Sequence, residues 1–100
     1  MRVIAKRTLR EFWESDARYA DAKPPLEAWH ALTVSAIWSN PADVKAQFRH
    51  ASILKSGRVV FNIAGNKFRL IVRINHAYYV VYIRFIGTHR QYDQIDVEVI

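Results

Sequence analysis

The sequence predicts an α+β fold in which helices of the N-terminal half pack on one face of a small antiparallel β-sheet. Apolar residues recur at helical spacing as far as about Phe48, whereas from Arg58 onwards apolar and polar residues alternate with a period of two. The chain has 100 residues, of which 51% are hydrophobic. That size and composition suit one hydrophobic core, so we predict that residues 1–100 form a single domain.

The first elements are predicted close to the N-terminus. Val3 and Ile4 form a short apolar run that is suited to an edge strand. Thr8 and Glu11 have the spacing of a capping box, which places the start of a helix near Thr8. The apolar face of this helix is predicted from residues at helical spacing, namely Leu9, Phe12, Trp13, Ala17 and Ala20.

Two further helices are predicted before residue 50. Pro24 and Pro25 separate the second helix from the first, because proline is tolerated in the first turn of a helix and not in its interior. Asn40 followed by Pro41 is typical of an N-cap and a first-turn residue, and predicts a short helix to about Phe48. The apolar positions of the second helix are Leu26, Trp29, Thr33, Ala36 and Ile37.

Three strands are predicted in the second half, at residues 58–64, 67–74 and 78–86. All three runs are rich in β-branched and aromatic residues. Gly65 and Asn66 are typical of a tight hairpin turn between the first two runs. Short connections between consecutive strands predict an antiparallel meander, with the helices on one of its faces.

The two faces of this meander differ in character, because side chains two positions apart lie on the same face of a sheet. One face is almost purely apolar, and we expect the helices to cover it; it carries Val59, Phe61, Ile63, Phe68, Leu70, Val72, Ile74, Tyr79, Val81, Ile83 and Phe85. The other face is predicted to carry cations and a tyrosine, namely Arg58, Lys67, Arg69, Arg73, Tyr82 and Arg84.

Cross-strand alignment is predicted to bring these cations together. A two-residue first turn places Arg58 opposite Arg73, and the length of the second turn decides whether Arg69 lies opposite Tyr82 or Arg84. Like charges that face each other cost a few tenths to ~1 kcal/mol per pair. A bound anion would offset this cost. The alternative is that the arginines extend into water and bind nothing.

The charge distribution favours an anionic partner, with nucleic acid ahead of a membrane surface. The formal net charge is +6, and no acidic residue lies between Asp43 and Asp93, where there are nine lysines and arginines. The missing carboxylates argue against a magnesium or calcium site, and the absence of cysteine excludes disulfides and thiolate chemistry. We expect no metal and no cofactor. No apolar run approaches a membrane span, so we expect a soluble cytoplasmic protein without a membrane partner.

His89 is the histidine whose neighbours point to chemistry. Thr88 and Gln91 have the spacing of a capping box, which predicts a short C-terminal helix with His89 in its first turn and Tyr92 on the same side. An imidazole, a phenol and nearby arginines are the groups that acid–base chemistry on a phosphodiester needs. The alternative is an ordinary surface histidine.

The chain resembles the HigB-type toxins of bacterial type II toxin–antitoxin systems, within the RelE-like group of mRNA interferases. The resemblance is carried by Gly65-Asn66-Lys67-Phe68-Arg69 and by the run from Tyr82 to Asp93, which ends in His-x-x-Tyr-Asp. The chain's opening, the Asn40-Pro41 helix start and Ser52-Ile53-Leu54 are also similar, so the resemblance covers nearly the whole chain. It implies a RelE-like α+β fold.

The resemblance also implies an activity and partners. The implied activity is metal-independent endoribonuclease cleavage of mRNA, typically in the ribosomal A site, and the implied partner is a HigA-type helix-turn-helix antitoxin. The positions that match the family's functional residues are Arg69, Arg84, His89 and Tyr92. We expect Arg69 and Arg84 to bind the scissile phosphate, because the guanidinium fork bonds two phosphate oxygens.

His89 is the first candidate for acid–base catalysis, with Tyr92 to orient it, stack on a base or share the proton transfer. Flanking RNA contacts are expected from Lys67, Arg73, Arg58 and Tyr82. The residues do not decide which of His89, Tyr92 and Lys67 is the acid and which the base. The alternative function is a non-catalytic, basic RNA-binding module.

Overall fold

The computed structural model describes residues 1–100 and contains four α-helices and one five-stranded sheet. The helices are α1 (Lys6–Ser15), α2 (Lys23–Ser35), α3 (Pro41–Gln47) and α4 (His89–Tyr92). The strands are β1 (Arg2–Ile4), β2 (Ser52–Ile53), β3 (Arg58–Ile63), β4 (Phe68–Asn75) and β5 (Val80–Thr88). Two 3₁₀ helices, Ala17–Ala22 and Lys55–Gly57, precede α2 and β3.

The predicted α+β class is confirmed. The sheet order is β1-β5-β4-β3-β2, and the three predicted strands are its antiparallel centre. The predicted edge strand exists as β1, which pairs in parallel with β5. The second edge is β2 at Ser52–Ile53, which pairs antiparallel with β3 and was not among the predicted strands.

Helix ends follow the predicted caps in part. The Asn40 side chain accepts a hydrogen bond from the backbone N–H of Asp43 (3.1 Å), so the predicted N-cap of α3 is confirmed, and so is the start of α2 at its prolines. The predicted capping box at Thr8 is wrong. Helix α1 begins at Lys6, and its N-cap residue Ala5 offers no capping side chain.

The core lies between the helices and one face of the sheet. Phe61 of β3 is its aromatic centre, with ring centroids of Trp29, Trp38 and Phe48 at 5.4, 6.3 and 5.1 Å from its own. Such ring pairs contribute ~0.5–1.5 kcal/mol each beyond the area that they bury. We call the other side of the sheet, which faces away from these helices, the open face.

The hairpin from β3 to β4 has the predicted register. Arg58 lies opposite Arg73 and Asn62 opposite Arg69. Lys67 departs from its predicted place, because it lies in the turn before β4 and its ammonium pairs with Asp21 of the first 3₁₀ helix. It is therefore drawn toward the helical side of the sheet rather than the open face.

The hairpin from β4 to β5 has a different register from either prediction. Its turn is residues 76–79, with Tyr79 at a positive φ of 57°, so Tyr79 is not in the strand. A β-bulge opposite Ile71 and Val72 adds one residue to β5. Arg69 consequently lies opposite Gly87, and not opposite Tyr82 or Arg84.

The same bulge changes the face of Phe85. The sequence predicted it on the helix-covered face, but it pairs with Ile71, whereas Ile83 and Ile86 on either side pack against the core. The bulge places two consecutive residues, Arg84 and Phe85, between these two core-facing isoleucines. The alternation of strand residues therefore shifts by one position after Ile83.

The C-terminal segment, residues 93–100, crosses the open face. At its start the Tyr92 ring centroid lies 5.9 Å from the guanidinium carbon of Arg69, and at its end the Ile100 carbonyl accepts two hydrogen bonds from Arg58, of 3.1 and 2.9 Å. Between these contacts Val60 and Ile71 are buried although they face away from the helices. The buried Val60 and Ile71 separate the open face into two parts, one beside Arg69 and one beside Arg73.

Candidate active site

The first part of the open face brings together four side chains, Arg69, His89, Tyr92 and Asp93, which we call the His89 cluster. The capping box of α4 holds this cluster at the end of β5. Thr88 Oγ1 accepts a hydrogen bond from the backbone N–H of Gln91 (3.1 Å), and Gln91 Oε1 accepts one from the backbone N–H of Thr88 (2.9 Å). This predicted capping box is confirmed, and it fixes His89 in the first turn.

Gly87 makes room for this arrangement. A Cβ atom at residue 87 would lie 2.5 Å from Cζ of Phe85 and 2.7 Å from Oε1 of Gln91. Any side chain there would displace the glutamine that caps α4. Gly87 also lies opposite Arg69 in the ladder, so it leaves open the space beside that arginine.

The imidazole of His89 has a carboxylate partner. Its Nδ1 lies 3.1 Å from Oδ2 of Asp93, one helical turn further on, and both side chains are about half exposed. A carboxylate only accepts hydrogen bonds, so this contact places a proton on Nδ1. Nε2 is thereby left for a substrate, as an acceptor when the ring is neutral and as a donor when it is protonated.

Tyr92 connects the histidine to the arginine. The rings of Tyr92 and His89 meet edge to face, with centroids 6.4 Å apart, and the Arg69 guanidinium lies over the tyrosine ring. Arg69 Nη1 also donates to the backbone carbonyl of Asn66 (3.2 Å). These contacts orient the guanidinium. It has no carboxylate partner in the chain.

The second part of the open face contains a cavity of about 580 Å³, which we call the Arg73 cavity. Arg73 and Tyr82 line it from opposite positions of the β4–β5 ladder, and Arg84 lines it from the bulge. Gly57 forms its far wall with a positive φ of 75°, and a Cβ atom there would lie 2.9 Å from the carbonyl oxygen of Ile74.

The predicted site residues therefore fall into several groups. Arg69, His89 and Tyr92 meet in one cluster, as expected. Arg84 lies with Arg73 and Tyr82, because the bulge and the position of the turn at residues 76–79 shift β5 against β4. Lys67 and Arg58 join neither group, since Lys67 pairs with Asp21 and Arg58 binds the Ile100 carbonyl.

No group of three or more histidine, cysteine, aspartate or glutamate side chains is arranged to hold a metal ion. The His89 cluster contains one histidine and one aspartate, which are engaged with each other. The chemistry that the cluster can perform by itself is proton transfer at His89 and electrostatic stabilisation of an anion by Arg69.

Comparison with known families assigns the chain. The sequence profile of the HigB toxins, described as the RelE-like toxic component of a toxin–antitoxin system, matches residues 22–95. The chain belongs to the HigB toxin family. It is therefore the toxin of a toxin–antitoxin system, and an antitoxin is its partner. No curated protein matches the chain.

The match to the HigB family spans both parts of the open face. It includes β3 to β5 and α4, and with them the whole His89 cluster and the cavity-lining arginines. It leaves out β1 and α1. No helix of this HigB-family toxin combines the length and the apolar character that crossing a membrane requires.

Sequence reasoning missed two residues of these sites. Asp93 belongs to the His-x-x-Tyr-Asp run, and its i+4 spacing from His89 on a helix is a signal that could have identified it. His76, in the turn between β4 and β5, lines the Arg73 cavity. No sequence pattern indicates this second placement, because it depends on the length of the β4–β5 turn.

Proposed function

We propose that this HigB-family toxin is a metal-independent endoribonuclease that cleaves mRNA, on the ribosome during translation, and that a HigA-type helix-turn-helix antitoxin neutralises it in the cytoplasm. We also propose that residues 1–100 act as one toxin domain. The observation that carries the nuclease proposal is the His89–Asp93 contact beside Arg69 and Tyr92 on a cationic face. Acid–base catalysis and anion stabilisation are the two things that metal-free RNA cleavage requires.

The reaction uses the 2′-hydroxyl of the substrate as nucleophile. Its oxygen attacks the adjacent phosphorus, and the bond from phosphorus to the 5′-oxygen of the next nucleotide breaks. A base takes the proton of the 2′-hydroxyl, and an acid gives a proton to the departing 5′-oxygen. The products are a 2′,3′-cyclic phosphate and a 5′-hydroxyl, so no water, metal or cofactor enters this step.

His89 supplies one of these proton transfers through Nε2, because Asp93 occupies Nδ1. Asp93 acts as a positioning residue that holds the ring in one tautomer and orientation. The Tyr92 ring meets the His89 ring edge to face, and its hydroxyl is the second proton-transfer group of the cluster. Arg69 stabilises the charge that develops on the non-bridging oxygens, where a preorganised cation contributes ~3–4 kcal/mol by analogy with oxyanion donors.

The proposal is tested by inducing the chain alone in a bacterial host and mapping mRNA ends by primer extension, on translated transcripts and on the same transcripts without a start codon. We expect growth arrest and new 5′ ends on translated mRNA only. The His89→Gln variant, at equal expression, is expected to give neither. Cleavage of both transcripts would contradict ribosome dependence, and intact mRNA with normal growth would contradict the nuclease.

The alternative function is a basic RNA-binding module that does not cut. The cation-rich open face and its exposed Tyr82 favour RNA binding by themselves. The two functions differ in the role of His89, which is dispensable for binding and required for cleavage. A purified chain that binds RNA, leaves it intact with and without ribosomes, and arrests growth would support the alternative.

A further inference from the structure

We propose that the Arg73 cavity is a nucleotide subsite that binds one residue of single-stranded RNA beside the cleaved bond and contributes to sequence preference. The role of the cavity within cleavage rests on the proposed function, but its ability to bind a nucleotide does not. In this subsite Arg73 and Arg84 bind the phosphate, Tyr82 stacks on the base, and His76 contacts the base edge.

The cavity is suited to an anion. Arg73 and Arg84 both line it, and neither guanidinium makes an ion pair or a hydrogen bond within the chain. No carboxylate is among the lining residues. Two unpaired guanidinium groups in one concave site repel each other, and a phosphate that both can contact relieves that repulsion.

The cavity is also suited to a base. Tyr82 is its aromatic wall, lies opposite Arg73 in the ladder and keeps 38% of its surface exposed. A tyrosine ring at this level of exposure next to a phosphate-binding cation is the arrangement with which proteins stack single-stranded bases. The volume of about 580 Å³ lies within the range of sites for small organic ligands.

His76 offers its ring nitrogen Nε2 as a hydrogen-bonding group for a ligand in the cavity. Its Nδ1 lies 2.8 Å from the backbone carbonyl of Trp38, and because a carbonyl only accepts, Nδ1 carries the proton of this hydrogen bond. Nε2 has no partner in the chain. In the neutral ring Nε2 is an acceptor, which can take a hydrogen bond from an amino or imino group of a base.

The subsite is distinct from the His89 cluster. Arg69 and Arg73 are four residues apart on β4, about 13 Å at the rise of a strand. Ile71, which faces the same side between them, is buried. The Arg69 guanidinium lies over Tyr92 and donates to the Asn66 carbonyl, at the end of β4 away from Arg73, so the cavity receives a different nucleotide from the one that is cleaved.

The test uses nucleoside 5′-monophosphates, which lack a cleavable internucleotide bond and so report binding without catalysis. The full chain labelled with ¹⁵N is titrated with AMP, CMP, GMP, UMP and inorganic phosphate, and binding is followed by NMR. We expect shifts at Asn75, His76 and Tyr82, different affinities for the four nucleotides, and weaker binding of inorganic phosphate. Arg84→Ala is expected to weaken nucleotide binding ~10-fold, as for a lost charged hydrogen bond.

Two tyrosine variants and one arginine variant complete the test. Tyr82→Leu is expected to weaken nucleotide binding ~5-fold or more, the lower end of a base–aromatic stack. Tyr82→Phe retains the ring and is expected to bind as the parent chain does. Arg49→Ala, which removes a cation elsewhere on the surface, is the matched control for Arg84→Ala and is expected to have no effect.

Several outcomes would overturn the subsite. One is shifts centred on His89 and Tyr92 instead of His76 and Tyr82. Another is equal affinity for inorganic phosphate and all four nucleotides together with unchanged binding by Tyr82→Leu, which would describe an anion site without a base. Absence of any shift at millimolar nucleotide would also overturn it. Binding in the cavity by a chain that never cleaves RNA would leave the subsite standing and refute the nuclease.

Discussion

The guanidinium carbon of Arg69 lies 5.9 Å from the centre of the Tyr92 ring, although the two residues belong to β4 and α4 and are separated by the whole β4–β5 hairpin. The contact joins the strand that carries the phosphate-binding candidate to the helix that carries the proton-transfer candidate. A cation over an aromatic face contributes ~0.5–1 kcal/mol at an exposed site. Because His89 also contacts the Tyr92 ring, the contact brings both candidates into one cluster.

This contact predicts that the ring and the hydroxyl of Tyr92 have separate effects on RNA binding and cleavage. Tyr92→Phe keeps the ring and removes the hydroxyl, so we expect unchanged folding and RNA affinity, with cleavage reduced ~10²-fold if the hydroxyl transfers a proton. Tyr92→Leu also removes the ring beneath Arg69 and should weaken RNA binding. The measurements are single-turnover cleavage and equilibrium binding on the same RNA. Parent-like cleavage by Tyr92→Phe would restrict this residue to orienting its neighbours.

His89 is predicted to act in catalysis and not in affinity. His89→Gln retains a hydrogen-bonding side chain but cannot transfer a proton, so we expect cleavage to fall ~10²–10⁴-fold with RNA binding nearly unchanged. His50→Gln, at an exposed position after α3, is the matched control and should cleave normally. Equal activity of the two variants would remove histidine from the mechanism.

Asp93 is predicted to act through His89. Asp93→Asn keeps the size of the side chain but removes its charge, and we expect kcat to fall ~10–100-fold with little change in KM, by analogy with partners that orient metal-bound histidines. The ¹⁵N resonances of the His89 ring should show loss of the single Nδ1–H tautomer. Asp96→Asn is the control, because the Asp96 carboxylate bonds the backbone N–H of Glu98 and not a histidine. An unchanged ring spectrum in Asp93→Asn would contradict the positioning role.

The side-chain hydroxyl of Thr33 is predicted to destabilise the folded state. Thr33 is fully buried, and its Oγ1 has no hydrogen-bond partner. Thr33→Val has nearly the same shape without the unpaired polar atom, so we expect the free energy of unfolding to rise by about 1 kcal/mol. Urea denaturation of the parent chain and of Thr33→Val measures this difference in the free energy of unfolding. Thr88→Val, which removes a hydroxyl that caps α4, should instead lower stability by about 1 kcal/mol.

His30 is predicted to make stability depend on pH near neutrality. Partial burial, and secondarily the charge of Lys6, lower the pKa of His30 below its ordinary value of 6.5. The unfolded chain therefore binds this proton more readily, so stability should decrease as the pH falls from about 8 to about 6. Thermal unfolding of the parent and of His30→Gln should show a smaller decrease in the variant. Asp16 does not contribute in this range, because Arg18 holds the pKa of its carboxyl at about 2.

Identical pH dependence of Tm in the parent chain and in His30→Gln would contradict this assignment. The comparison is made between the two proteins at each pH, so that contributions common to both cancel. The difference between the curves then reports His30 alone.

The sequence by itself determined two of the three predicted helix caps and the central hairpin, whereas the capping box predicted at Thr8 did not form. Asn40 caps α3 and Thr88 caps α4 because each side chain bonds an N–H only three residues away, and such contacts do not depend on the rest of the fold. The register of β3 against β4 was equally accessible, because a short turn and alternating side chains leave one alignment that buries the apolar set. The roles of the candidates Arg69, His89 and Tyr92 came from the resemblance to the HigB-type toxins, which the capping-box spacing around His89 supported.

The tertiary structure alone decided which of these candidates meet. The position of the turn, at residues 76–79, and a bulge in β5 move Arg84 away from Arg69 to Arg73, and the bulge moves Phe85 to the open face. Both depend on how β5 packs between β4 and β1, since a bulge is selected by the whole sheet rather than by its own residues. The course of the C-terminal segment across the open face is likewise a long-range result, because Arg58 and Ile100 are 42 residues apart. Residues that are distant in sequence become neighbours only when the whole core forms.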